Sequence, residues 1–126
     1  MSKVVIETPS APAAIGTYSQ AVRHGNLLYL SGQIPLVPAT MEIVGTDIRA
    51  QVTQVFDNLK AVAEAGGATL QHALKLTIYV VDLVHFPIVN EVMAGYFTPP
   101  YPARATVQVS ALPRGALVEI DAILGL

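Results

Sequence analysis

Arg104, Thr106 and Gln108 alternate with Ala105, Val107 and Val109, and Glu119 and Asp121 alternate with Val118, Ile120 and Ala122. Alternation with a period of two is the pattern of β-strands, whose successive side chains point to opposite faces. Each strand thus carries a polar face and an apolar face, and the apolar residues suit a face covered by helices. The polar side of such a sheet gathers one guanidinium and two carboxylates. A guanidinium offers a planar fork of donors that grips a carboxylate in two places, as a lysine ammonium does not. A strand holds that fork more rigidly than a loop would, and a neighbouring carboxylate can orient a water or move a proton. The implied chemistry is a carboxylate-bearing substrate met by a delivered water. The simpler reading is a solvated face with an exposed ion pair worth ~0–1 kcal/mol, and residue types alone favour it.

Other residues offer less. The chain has no cysteine, hence no disulfide framework, no thiolate nucleophile and no cysteine metal site. His24, His72 and His85 lack metal-ligand spacing and read as structural or surface residues, so no metal is expected. Ser31 has no G-x-S-x-G elbow and no evident histidine partner, which argues against a hydrolase triad. Gly66-Gly67 reads as a helix stop rather than a phosphate cradle. Asp57-Asn58 is expected to fix helix packing.

The elements that must position the polar strands follow from periodicity. Lys3 to Ile6 is β-branched and predicts a short first strand, and Gln20–His24 and Leu27–Ser31 flank a Gly25-Asn26 hairpin turn. From Gly32 to Gly45, Pro35, Pro38 and the lack of a clear period indicate a surface loop. Thr46 is then expected to cap a helix whose apolar stripe is Ile48, Val52, Val55, Leu59 and Val62, with Gln51, Thr53, Gln54, Asp57 and Lys60 on other faces. That helix stops at Gly66-Gly67. Residues 74–81 alternate, placing Leu74, Leu76, Ile78 and Val80 on one face. A second helix opens near Pro87 and ends before Pro99-Pro100. Strands at 104–109 and 117–124 close an order β-β-β-α-β-α-β-β, which argues for an α+β domain: a mixed sheet with both helices on one face.

Composition bounds what such a domain can be. The 126 residues suit one domain and are 52% hydrophobic but only 13% charged, against about a quarter charged in an average protein. No apolar run reaches the ~18 residues of a membrane helix, and disorder demands the opposite composition. Too little charge to cover the surface points to further burial in a homo-oligomer. The net charge is −2 and the seven cations are scattered, which speaks against a nucleic-acid surface. The apolar stretch at the N-terminus is too short for a signal peptide, so a cytoplasmic location is expected.

Several stretches also agree with one known family. Residues 102–112, reading PARATVQVSAL, followed by Val118-Glu119-Ile120, resemble the C-terminal signature of the RidA/YjgF family of reactive imine/enamine deaminases, also called endoribonuclease L-PSP. Ala13–Gly16 with Tyr18-Ser19-Gln20, residues 31–35 (SGQIP), Gln51 through Asp57-Asn58-Leu59 to Gly66, and Val89-Asn90 agree in order along nearly the whole chain. The resemblance implies a chorismate-mutase-like fold over 1–126, assembled as a homotrimer packed through its sheets, with ligand clefts between subunits and no cofactor. It implies hydrolysis of 2-aminoacrylate or 2-aminocrotonate tautomers to 2-keto acids and ammonia, the activity of a 2-iminobutanoate/2-iminopropanoate deaminase. By position, Arg104 matches the arginine that grips the substrate carboxylate and Glu119 the glutamate that positions water. Tyr18, Ser31, Gly32 and Asn90 match cleft-lining positions, and Thr106 stands in the cleft where many members carry cysteine.

Thr17, where proline is common, and the short link at Thr98–Tyr101 are further departures that bear on substrate preference. A non-catalytic trimeric binder of small keto acids would use Arg104 equally well. A ribonuclease reading attaches to the family name, and the scattered cations argue against it.

Overall fold

The computed structural model describes residues 2–126. Val4–Ile6 (β1) pairs antiparallel with Ala21–His24 (β2), which turns back into Leu27–Gln33 (β3). Gly25, at φ 60°, supplies the left-handed backbone that this two-residue turn requires. The expected loop that follows is partly ordered as a small hairpin of Leu36–Val37 (β4) and Glu42–Ile43 (β5). Pro35 and Pro38 flank β4 without interrupting it, because so short an edge strand needs few ladder donors.

Ile48–Ala65 forms α1, Ala73–Val80 β6, Phe86–Met93 α2, Ala103–Gln108 β7 and Val118–Gly125 β8. The main sheet runs β1-β2-β3-β8-β6-β7, antiparallel throughout except for the parallel pair β6 and β7. Both helices cover one face, so the α+β class, mixed sheet and element order expected from the sequence are those of the molecule. Among the described residues no helix is long and apolar enough to cross a membrane.

The α1 stripe packs as its spacing predicts. Val52, Val55, Leu59 and Val62 are fully buried against Leu28, Ile120 and Leu124 of the sheet, each burial being worth about 1.5–3 kcal/mol. The cap is Asp47 rather than Thr46: its Oδ2 accepts from the Ala50 N–H at 2.9 Å, and its negative charge also suits the helix N-terminus. Gly67, at φ 82°, ends the helix in the left-handed conformation.

Gln51 departs from its expected outward position. It is 2% exposed; its Nε2 donates to Gly45 O at 2.6 Å and its Oε1 accepts from Leu117 N–H at 2.8 Å. An amide satisfied at both ends can be buried at little cost, and this one ties the approach to α1 to the start of β8. Asn58 does the packing work expected of it, donating to Leu36 O at 2.9 Å and accepting from Gln54 at 2.9 Å. Asp57 accepts from the Tyr96 hydroxyl at 2.5 Å, fastening α1 to the chain beyond α2.

Two register details depart from simple alternation. Ala73 pairs with Leu124 but Lys75 with Ile123, so Leu74 is an extra residue, thrown out of the expected stripe to 52% exposure. The second concerns the polar strands. β7 and β8 are not neighbours, since β6 lies between them. Leu76 of β6 stands opposite Arg104 on one side and Ala122 on the other, while Tyr79 stands opposite Val107 and Glu119. Arg104 and Thr106 therefore share the helix-covered face with Leu76 and Ile78. Glu119 and Asp121 lie on the open face with Thr77 and Tyr79.

The single polar side expected from the sequence is thus divided between the two faces. Ala105 and Val107 do not meet the helices either; Val107 stands 42% exposed on the open face, as does Tyr29 at 41%.

Candidate functional site

Two separate clefts hold the candidate residues. The first is built on a bulge in β3. Leu30 pairs with Ala122 and Gln33 with Ile120, so Ser31 and Gly32 together oppose Asp121 alone. Such bulges re-aim side chains and occur often beside active sites. Here the Ser31 hydroxyl donates to Ser19 O at 2.5 Å and its N–H to Gln20 O at 3.0 Å. With its proton committed, the Ser31 oxygen retains only lone pairs to offer a ligand.

Gly32 is required for a different reason. A Cβ at that position would stand 2.5 Å from Glu119 Oε2 and 3.0 Å from Glu119 Cδ, so the carboxylate occupies the space a side chain would take. Burial, and then the negative charge of Asp121, raise the Glu119 pKa above the ordinary glutamate value. Asp121 itself accepts from the Tyr79 hydroxyl at 3.2 Å. The cleft over Glu119 has a volume of about 510 Å³ and is lined also by Tyr18, Ile15, Pro113 and Arg114. That size lies in the range of small-molecule sites.

The second cleft belongs to Arg104. Its Nη1 donates to Asn90 Oδ1 at 2.8 Å and approaches Met93 Sδ at 3.5 Å, while Cζ sits 5.0 Å from the centre of the Phe86 ring. All three partners come from α2, which therefore presets the guanidinium by a hydrogen bond and a cation–π contact. Among the described residues the ion pair is Arg49–Glu91 at 3.0 Å, and Arg104 has no carboxylate partner. Beside it, Thr106 Oγ1 is buried without a hydrogen-bond partner. Arg104 lines cavities of about 300 Å³, with Asn90 and Tyr101, and about 380 Å³, with Thr106, Phe86 and Leu83. A cation without a counter-ion next to an unsatisfied hydroxyl is a place for a carboxylate. No group of three or more His, Asp or Glu side chains converges as a metal site among the described residues.

The comparison with known proteins gives this arrangement its context. The family model for endoribonuclease L-PSP matches residues 8–124. The chain belongs to the RidA/YjgF (endoribonuclease L-PSP) family. The protein DfrA of Myxococcus xanthus is 56% identical over 98% of this chain and 95% of its own. A 2-iminobutanoate/2-iminopropanoate deaminase of Dermatophagoides farinae is 48% identical over 97% of this chain and 95% of its own. The crystal structure of RidA from an Antarctic Psychrobacter superposes with a TM-score of 0.94 at 49% identity, covering 98% of this chain and 99% of that one.

Within this RidA/YjgF chain, Tyr18, Ser31, Gly32 and Glu119 share one cleft, while Arg104 lines one cavity with Asn90 and another with Thr106. A single chain does not join the two sets. Sequence reasoning missed Phe86, the ring beneath Arg104, and Arg114, a cation in the Glu119 cleft. Phe86 stands immediately before the helix-opening Pro87, where only the helix signal drew notice. Arg114 lies in the link between the strands at 104–109 and 117–124, which carries no motif of its own.

Proposed function

We propose that this chain hydrolyses 2-imino acids and their enamine tautomers to 2-keto acids and ammonia, at sites shared between copies of itself in a homotrimer. The observation that carries this reading is Arg104, a guanidinium preset by Asn90 and Phe86 without a carboxylate partner. It is a ready anchor for a substrate carboxylate, while the carboxylate suited to handle water faces the other side of the sheet. The deaminase activity of a relative at 48% identity supports the assignment. The open sheet face, with Tyr29 and Val107 exposed, supports assembly through that face. A neighbour's Arg104 can then complete the Glu119 cleft.

In the reaction, Arg104 and the Thr106 hydroxyl hold the substrate carboxylate and fix the C=N carbon near Glu119. Ionised Glu119 takes a proton from water as its oxygen attacks that carbon. Glu119 then returns the proton to the carbinolamine nitrogen and takes the hydroxyl proton as the C–N bond breaks, so that a 2-keto acid remains and the departing ammonia carries that proton away as ammonium. The Ser31 oxygen accepts from the iminium N–H and orients it. No nucleophilic side chain is needed.

A coupled assay tests the reading. A serine dehydratase generates 2-aminoacrylate, and the protein is expected to accelerate pyruvate appearance over the uncatalysed rate. Lack of acceleration, together with measurable binding of 2-ketobutyrate, would instead assign the chain as a carboxylate binder.

Gly32→Ala gives a sharper check. The new methyl displaces the flexible end of Glu119 rather than backbone, so turnover is expected to fall about tenfold or more while the protein stays folded. Assays paired with thermal unfolding separate the two effects. Unchanged turnover would show that the position of the Glu119 carboxylate does not matter.

A further inference from the structure

Arg114 is held in a conformation that its side chain disfavours. Its φ of 61° and ψ of 19° lie in the left-handed region, and Gly115 follows at φ 70°. That backbone crowds a Cβ against the following carbonyl and is disfavoured for a side-chain-bearing residue, whereas glycine or asparagine adopts it readily. Strain kept at one position directs attention to what the side chain does there. Arg114 Nη2 donates to Met41 O at 2.9 Å across the cleft wall, and Met41 is itself left-handed at φ 60°. The two strained residues thus brace one another and fix the guanidinium at the edge of the Glu119 cleft.

Arg114 is the one cation among the residues lining that cleft, whose remaining wall is largely apolar (Ile15, Ile34, Leu36, Pro113). The Met41 carbonyl takes one of its five N–H donors, and no carboxylate of the described residues lies within ion-pair distance of it. The molecule has few cations, and it places Arg104 in one half-site and Arg114 in the other.

We propose that Arg114 is a specificity-determining residue that binds a second anionic group at the far end of the substrate side chain, so that 2-imino dicarboxylates are preferred over simple 2-imino acids. The proposal rests on the deaminase reading and extends it: Arg104 of one copy takes the carboxylate beside the imine, and Arg114 takes the distal carboxylate. Arg114 stands exposed at the edge of the cleft, and a guanidinium held in place beside apolar surface offers the remaining N–H donors of its planar fork to a distal carboxylate.

The test uses the intact protein and two imines made in situ, with catalase present and semicarbazide as competing trap. An L-glutamate oxidase supplies 2-iminoglutarate, and an L-amino acid oxidase acting on alanine supplies 2-iminopropanoate. Arg114→Asn suits the left-handed backbone and keeps the chain folded, which thermal unfolding verifies. It is expected to lower kcat/KM for 2-iminoglutarate about tenfold or more and to change that for 2-iminopropanoate less than twofold. Arg114→Lys retains the charge without the planar fork and should recover part of the preference.

Equal losses on both imines, or none on either, would overturn the proposal. A turnover-independent arm measures binding of 2-oxoglutarate and pyruvate by calorimetry. If the protein hydrolyses neither imine yet binds 2-oxoglutarate more tightly than pyruvate, and Arg114→Asn erases that difference, the deaminase reading falls and the role of Arg114 stands. If Arg114→Asn leaves the binding preference unchanged, the role of Arg114 falls whatever the turnover.

Discussion

Arg104→Ala is expected to lower kcat/KM for 2-aminoacrylate by about 100- to 1,000-fold, the scale on which removing one partner of a desolvated charge pair acts. Arg104→Lys should recover only part of the loss, since an ammonium lacks the bidentate geometry. The side chain is exposed and bonded to Asn90 at the surface of α2, so the unfolding midpoint should move little. Because Arg104 and Glu119 lie on opposite faces of the sheet, the same variant also tests assembly. Inactive Arg104→Ala chains mixed by coexpression with inactive Glu119→Gln chains form some sites that draw an intact Arg104 from one chain and an intact Glu119 from the other. With random mixing about a quarter of the sites are whole, and about a quarter of the wild-type activity should return. Activity that stays at the level of the separate variants, or sedimentation at the mass of a monomer, would overturn a site shared between copies.

Glu119→Gln is expected to reduce turnover of the same imine by about 100- to 10,000-fold, the usual worth of a positioned general base, while the protein loses no stability. Burial and the nearby Asp121 raise the pKa of Glu119 in the folded chain. Between the ordinary glutamate pKa and that raised value the folded state binds more protons than the unfolded state. Its stability therefore falls as pH rises through that window, and at neutral pH the ionised Glu119 is a net cost. A neutral glutamine removes the cost, so the midpoint of thermal unfolding near pH 7 should be unchanged or higher. Catalysis needs the ionised form, so wild-type kcat/KM should rise with pH along an acid limb placed above that of an ordinary glutamate. Asp121→Asn removes one cause of the raised pKa and should shift the limb to lower pH. An acid limb that ignores Asp121 would show that Glu119 is not the titrating group.

Much of the fold was legible because local rules were enough. The α1 stripe, the Gly25-Asn26 turn, the stop at Gly67 and the alternation of β8 each depend on neighbours close in sequence, and each appears where its pattern placed it. The misses share a cause. Gln51 is buried because Gly45 and Leu117, distant in the chain, satisfy its amide. Leu74 leaves its stripe because of a bulge against β8. Thr106 carries an orphan hydroxyl beside a cavity it shares with Phe86 and Leu83, residues about twenty positions away in the chain.

The sequence by itself determined the element order, the apolar stripe of α1, and the chemical types available for a carboxylate and water site. The candidates it offered, Arg104, Glu119, Tyr18, Ser31, Gly32, Asn90 and Thr106, line clefts of the structure. The tertiary structure alone decided which of them meet. Period-two alternation orders side chains within a strand, but the face each strand turns to the helices depends on its neighbour and its register. With β6 between β7 and β8, Arg104 falls on Leu76's side and Glu119 on Tyr79's. The guanidinium and the carboxylate are thereby parted within one chain, because two strands that alternate alike can still face opposite ways.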